Sequence, residues 1–308
     1  MTKLFIDGAA GTTGIQIRDR LAGRSEFDII ELADAQRKDD AARKDAINAA
    51  DIVILCLPDD AARQSVAMIA NNRTRVIDAS TAHRTAPDWV FGLPEISGHH
   101  AVAHARFVSN PGCYSTGFIA LVAPLVKHGL IAADALLTCN AVSGYSGGGK
   151  SMIAEYEGPD GAPTAWRSYA LTLAHKHVPE MQVQSGLSHR PLFAPSVAPL
   201  YSGMVVDVPL HHAMFARGAN ADTLRGALAD HYALSPIINV LPDYEPATLP
   251  IELLKDRDDM NLYVFADKES EQVRLVAVLD NLGKGASGAA VQNLNLMAGL
   301  PETTGLRL

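Results

Sequence analysis

Cys113 closes the turn Asn110-Pro111-Gly112-Cys113 and heads Tyr114-Ser115-Thr116-Gly117, which runs on into the apolar stretch Phe118 to Val126. Proline and glycine before it make a turn, and the run after it predicts a helix. A thiol at a helix start sits among unpaired backbone N–H groups and at the positive end of the helix dipole, both of which favour thiolate over thiol. Cys113 is therefore the candidate nucleophile. The three cysteines fall outside any disulfide or metal spacing, and Cys56 and Cys139 lie in strand-like apolar runs that read as core. His175 and His177, in Ala174-His175-Lys176-His177-Val178-Pro179-Glu180, stand two apart, which on an extended segment turns both to one face. A metal pair, a general acid/base with its support, and surface histidines all fit that spacing. No third ligand cluster lies near, so acid/base work is the reading and no metal is expected. Ser143-Gly144-Tyr145-Ser146-Gly147-Gly148-Gly149-Lys150-Ser151 reads as a flexible polar loop that offers N–H groups, hydroxyls and an ammonium to an oxyanion or phosphate. It lacks the order of a nucleotide-triphosphate loop.

These groups need elements to hold them. Lys3 to Asp7 reads as a strand, Gly8-Ala9-Ala10-Gly11-Thr12-Thr13-Gly14 as a glycine-rich turn, and Ile15 to Leu21 as an amphipathic helix. Strand, glycine turn and helix start together form the context in which a pyrophosphate is cradled, although the spacing is GxxGxxG. After a second strand, residues 27–32, Arg37 and Lys38 are placed to hold a 2′-phosphate and so favour NADP, against the contrary sign of Asp34. Strands at 51–58 and 75–78, with a helix opening at Asp59, complete an alternation that predicts a doubly wound parallel sheet over roughly residues 1–110. Beyond it, strands near 135–142, 202–209, 261–265 and 273–279 outnumber helices, which predicts a largely antiparallel sheet with helices against one face. The expected domains are 1–112 for the dinucleotide, 113–282 for catalysis and oligomerisation, and 283–308 as a C-terminal helix returning to the first. A chain of 308 residues with formal net charge −8 and 48% hydrophobic residues predicts no nucleic-acid partner. No stretch approaches a membrane span and residues 1–7 enter a strand directly, so a cytoplasmic protein is expected.

Seven segments then fall in the order of one family: GAAGTTG at 8–14, DASTAHR at 78–84, GLPE at 92–95, NPGCYSTG at 110–117, SGYSGGGK at 143–150, HKHVPE at 175–180 and DNLGKGASGAAVQN at 280–293. Over essentially its whole length the chain resembles the N-acetyl-gamma-glutamyl-phosphate reductases of the shorter sequence type. Semialdehyde dehydrogenases acting on aspartyl phosphate share the architecture, but their cysteine follows a different local sequence. The resemblance implies an α/β fold, a Rossmann-type NADP domain plus an α+β catalytic domain, and attack of Cys113 on an acyl phosphate followed by reduction of the thioester. It implies cofactor contacts from Gly8, Ala10, Gly11, Thr12, Thr13, Gly14 and Ile15, with Arg37, Lys38, Ser80, Asn281 and Gly283. For the substrate it implies Arg84, Asn110, Ser143, Gly144, Lys150 and Glu180, the last orienting whichever of His175 and His177 moves the proton. It further implies a small-molecule acyl-phosphate substrate and a homotetramer or homodimer. Rival readings are the same chemistry on N-acetyl-aminoadipyl or aspartyl phosphate, and a non-catalytic NADP-binding regulator.

Overall fold

Ile52–Leu55 is apolar at every position, and a strand of that kind needs cover on both faces. It has it. The structure, a computed structural model, describes residues 1–242, 247–267 and 271–308. The chain forms two compact units, 1–112 with 286–306, and 113–285 with 307–308. In the first unit the elements run β1 (Thr2–Asp7), α1 (Thr12–Leu21), β2 (Phe27–Ile30), α2 (Asp40–Ala49), β3 (Ile52–Leu55), α3 (Asp59–Ala67), β4 (Arg75–Asp78), β5 (Val90–Phe91), α4 (Pro94–Ser97), α5 (His99–His104) and β6 (Phe107–Ser109). The six strands are all parallel in the order β2-β1-β3-β4-β6-β5, the doubly wound sheet that the alternation predicts. Side chains alternate through it. Leu4, Ile6, Ile54 and Ile77 pack with Ile17 and Leu21 of α1 and with Val291 and Leu294. Phe5, Val53, Leu55 and Val76 pack on the other face with Ile47 of α2 and Ala62 of α3.

The second unit begins with α6 (Cys113–Lys127) and continues through β7 (Thr138–Gly144), α7 (Gly149–Glu157), β8 (Arg167–Ser168), α8 (Val178–Gln184), β9 (Leu192–Ala198), β10 (Met204–His211), α9 (Ala221–Tyr232), β11 (Ile238–Val240), β12 (Met260–Ala266) and β13 (Gln272–Leu279). Its sheet runs β11-β12-β13-β10-β7-β9-β8 and is mostly antiparallel, with parallel pairs, among the described residues, at β11–β12 and β7–β9. The buried helix α6 lies against β10 and β13, closely enough that a Cβ on Gly117 would stand 2.9 Å from Val206 Cγ2. Helix α10 (Gly288–Met297) packs on α1, α5 and β4 in the first unit. The return lies slightly beyond position 282: Gly283, Lys284 and Gly285, the start of a π-turn, stay with the second unit, as do Arg307 and Leu308.

Two local expectations are corrected. Residues 143–151 are not a flexible loop, because β7 extends to Gly144, a 3-10 turn spans Tyr145–Gly148, and α7 starts at Gly149, which puts Lys150 in the first turn of a helix. Glycine in sequence reads as loop, yet here Gly149 takes φ +67 at the turn-to-helix corner that L-residues avoid. The histidine segment is not extended either. His177 is the N-cap residue of α8, whose N-terminal proline starts the helix there.

Candidate active site

Helix α6 has no lysine, arginine or carboxylate before its last residue, so its first turn presents backbone donors and a sulfur. Cys113 is half-buried there, at the start of the second unit. A Cβ on Gly285 would come within 2.8 Å of Cys113 Cβ, so glycine at that point of the π-turn lets the backbone close against the thiol. The neighbouring Lys284 is almost fully buried. The other two thiols differ in kind. Burial pushes Cys56 up to about 12, with Asp78 and Asp7 adding to the shift, and burial pushes Cys139 up as well.

Around the head of α6 stands an aromatic cluster. Tyr114 lies with its ring centroid 6.2 Å from His175, 5.9 Å from His177 and 5.2 Å from Phe193. The two imidazoles meet edge to face at 4.7 Å. Tyr169 donates to Tyr114 Oη at 3.0 Å, and Tyr114 donates to the Ser196 carbonyl at 3.1 Å. Burial raises both phenols above their ordinary pKa, with the neighbouring Cys113 among the further causes, so both stay protonated near neutrality and act as donors. His175 Nδ1 accepts from the His177 backbone N–H at 3.1 Å, which leaves the His175 proton on Nε2 in the neutral ring. His177 is buried, and its Nε2 stands 4.0 Å from Glu180 Oε1 on the next turn of α8. Ser143 and Gly144 end β7, with Ser143 Oγ donating to the Gly144 carbonyl at 3.1 Å. Lys150 is exposed on α7. Asn281 accepts from Gly203 N–H and donates to Ser146 Oγ, each at 2.9 Å, and a Cβ on Gly283 would collide with the Arg257 carbonyl. Both of these residues, implied for the cofactor, are held by the second unit.

The first unit gathers the remaining nominees at the C-terminal ends of its parallel strands, where open α/β sheets bind ligands. Gly8, Ala10, Gly11, Arg37 and Lys38 line one cleft of about 470 Å³. Gly8 has φ +88 and a Cβ there would collide with the Cys56 carbonyl, while a Cβ on Gly14 would stand 2.6 Å from the Gly8 carbonyl. The turn thus has the bare backbone that a pyrophosphate requires, and Thr12, Thr13 and Ile15 open α1 behind it. Asp34 pairs with Arg37 at 2.8 Å rather than lining the cleft. Ser80 donates through N–H and Oγ to Asp78, which also meets His83 Nδ1 at 2.6 Å. Arg84, buried, donates to the Asn110 carbonyl at 2.9 Å, and Asn110 donates to the Ala286 carbonyl at 2.9 Å.

Several members were invisible in one dimension. Asp7 would set a carboxylate beneath an anion-binding turn, but Arg43 meets it at 2.9 Å and Ser65 joins the pair. Arg18 and Glu31 form a second ion pair, at 3.2 Å, on the rim of the cleft. Tyr169, which follows β8, and Phe193 of β9 stand edge-on to His175, with ring centroids 5.9 and 5.0 Å away. A buried-pattern signal existed for Tyr114 alone, which adjoins the cysteine.

Comparison with known proteins agrees with this division. Residues 3–104 match the family model described as semialdehyde dehydrogenase, NAD binding domain, and residues 113–281 match semialdehyde dehydrogenase, dimerisation domain. The chain is 51% identical over 304 residues to an N-acetyl-gamma-glutamyl-phosphate reductase of Rhizobium meliloti (strain 1021), covering 96% of this chain and 98% of that one. It is 50% identical over 308 residues to N-acetyl-gamma-glutamyl-phosphate reductase 2 of Pseudomonas putida, covering 98% of each. Among solved structures, aspartate semialdehyde dehydrogenase II of Vibrio cholerae, complexed with ASA, superposes with TM-score 0.70 at 16% identity, over 97% of this chain and 98% of that one. The Candida albicans aspartate semialdehyde dehydrogenase with NADP superposes with TM-score 0.69 at 17% identity, over 96% and 98%. At such identities the likeness is one of fold.

Proposed function

Because the chain belongs to the N-acetyl-gamma-glutamyl-phosphate reductases, an oxidoreductase family, we propose a reaction in which Cys113 is acylated by N-acetyl-gamma-glutamyl phosphate and the thioester is reduced to N-acetyl-glutamate semialdehyde. One observation carries the assignment of the nucleophile: Cys113, half-buried as Cys56 also is, alone of the three thiols heads a helix, while burial pushes Cys56 up to about 12 and raises Cys139 as well.

Cys113 loses its proton to an imidazole, its sulfur forms the bond to the acyl carbon, and the carbon–oxygen bond to phosphate breaks with the electron pair leaving on phosphate. NADPH, when bound, supplies the hydride. The tetrahedral oxyanion then collapses, the carbon–sulfur bond breaks, and the aldehyde departs as the thiolate re-forms. His177 is assigned the proton transfers, since it is buried beside the Glu180 carboxylate, which steadies an imidazolium; His175, with Nδ1 engaged as an acceptor, positions it and presents Nε2–H. Ser143, Gly144 and Lys150 are assigned to the phosphate and oxyanion side, with Arg84 and Asn110. Arg37 and Lys38 on the rim of the first unit's cleft support NADP over NAD, and the glycines that exclude a Cβ support a pyrophosphate against Gly8–Ile15; for Ser80, Asn281 and Gly283 the cofactor role rests on the family resemblance. The dimerisation-domain match supports a homodimer or homotetramer. No helix among the described residues is long and apolar enough to cross a membrane, in keeping with a cytoplasmic place.

The test is direct. Purified protein given phosphate, NADP and N-acetyl-glutamate semialdehyde should generate NADPH, and aspartate semialdehyde should be turned over far more slowly. Equal rates on both aldehydes, or none on the N-acetylated one, would remove the proposal.

A further inference from the structure

The substrate of this reaction is an N-acylated amino acid, so its α-carboxylate is the one fixed charge apart from the acyl phosphate. Something cationic must meet it. We infer that Arg167, on the edge strand β8, is the receptor for that carboxylate. The inference deepens the reductase reading and rests on it.

Placement comes first. Strand β8 pairs antiparallel with β9 through Arg167 and Ser168, and Tyr169 N–H continues the ladder to the Pro195 carbonyl at 3.1 Å. Residues two apart on a strand share a face and stand ~7 Å from each other. Arg167 therefore shares the face of Tyr169, whose hydroxyl bonds to Tyr114 and whose phenol feels the charge of Cys113. In the substrate the acyl carbon and the α-carboxylate are separated by roughly 5 Å at ordinary bond lengths. A cation two strand residues from the tyrosine beside the nucleophile suits that span.

The head group is already set for a carboxylate. Nη1 and Nη2 donate to the two oxygens of Glu155, at 2.7 and 2.9 Å, in a two-point fork. The guanidinium carbon lies 5.3 Å from the Tyr156 ring centroid, and that ring stacks on Tyr145 at 4.9 Å, so the plane of the fork is supported from beneath. Glu155 thus occupies the fork as an internal carboxylate. With side chains 30% and 41% exposed, the pair is wet, and pairs of this kind contribute only about 0–1 kcal/mol. An incoming carboxylate exchanges with Glu155 without disturbing the core.

The experiment compares N-acetyl-gamma-glutamyl phosphate with 4-acetamidobutanoyl phosphate, which has the same chain but no carboxylate, on wild type, R167A, R167K and E155Q. For the natural substrate R167A should raise KM by about 5-fold with kcat within roughly 2-fold, the scale of a partly exposed ion pair. For the truncated substrate its KM should be unchanged. R167K, which keeps the charge and loses the fork, should fall between, and E155Q should lower KM for the natural substrate only. If R167A or R167K weakens both substrates alike, or wild type fails to distinguish them, Arg167 is only a brace between β8 and α7 and the inference is wrong. Wild type inert toward both acyl phosphates would remove the reductase reading and this assignment together.

Discussion

The glycine turn of the first unit works by what it leaves out, and the cluster at the head of α6 works by what it puts in. At Gly8 and Gly14 a single added carbon meets a carbonyl oxygen, so the turn depends on bare backbone and tolerates little bulk. Around Tyr114, the residue after Cys113, stand His175, His177 and Phe193, so that four rings meet there and three of them carry a titratable group. Backbone donors bind a phosphate wherever the chain can approach it, whereas bond-making needs particular atoms at particular places. The glycine turn and the cluster at the head of α6 thus belong to different compact units.

Substitutions should expose that division. The largest effect is expected at the sulfur: Cys113→Ser should lower kcat/KM by about 10⁴-fold or more while NADPH titration and the unfolding curve stay as in wild type. Residual turnover near normal would place the nucleophile elsewhere. Arg43→Ala should do the opposite, removing about 3–5 kcal/mol of stability in a denaturant melt by leaving the buried Asp7 carboxylate without its cation. A loss under about 1 kcal/mol would show the pair to be solvated and marginal. Gly14→Ala should cost about 1–3 kcal/mol from the clash with the Gly8 carbonyl, and should raise the NADPH dissociation constant measured by fluorescence. Unchanged affinity would mean that the turn does not cradle the pyrophosphate. The mildest is Arg37→Ala, whose side chain is 44% exposed: NADPH affinity should fall by about 10-fold with NADH unaffected, and an equal fall for both would refute a 2′-phosphate contact.

The legibility of the two units in sequence differs for the same reason. Parallel strands such as Ile52–Leu55 announce themselves because both faces are buried, and the glycine turn carries its own local signature. The helix at Cys113 was equally plain from its apolar run. Strand β9 was not, since Pro195 interrupts Leu192–Ala198 and its pairing is set by β7, which lies far back in the chain. Helix α2 escaped because Asp40–Ala49 is polar, with only Arg43, Ala46 and Ile47 buried, and one of those is an arginine whose partner is Asp7. Residues 143–151 read as loop because three consecutive glycines hide a corner that leads straight into α7. Within the site, Cys113 and the histidine pair stood out by type and spacing. Tyr169 and Phe193 did not, because what brings their rings to His175 is the pairing of β8 with β9 rather than any local pattern.

The measurement closest to the central claim is mass spectrometry of protein mixed with N-acetyl-gamma-glutamyl phosphate, without reductant, and quenched in acid. One N-acetylglutamyl group per chain is expected, mapping to the peptide that contains Cys113 and disappearing as aldehyde when NADPH is added before the quench. An unmodified Cys113 in protein that turns over, or the acyl group on Cys56 or Cys139, would contradict it.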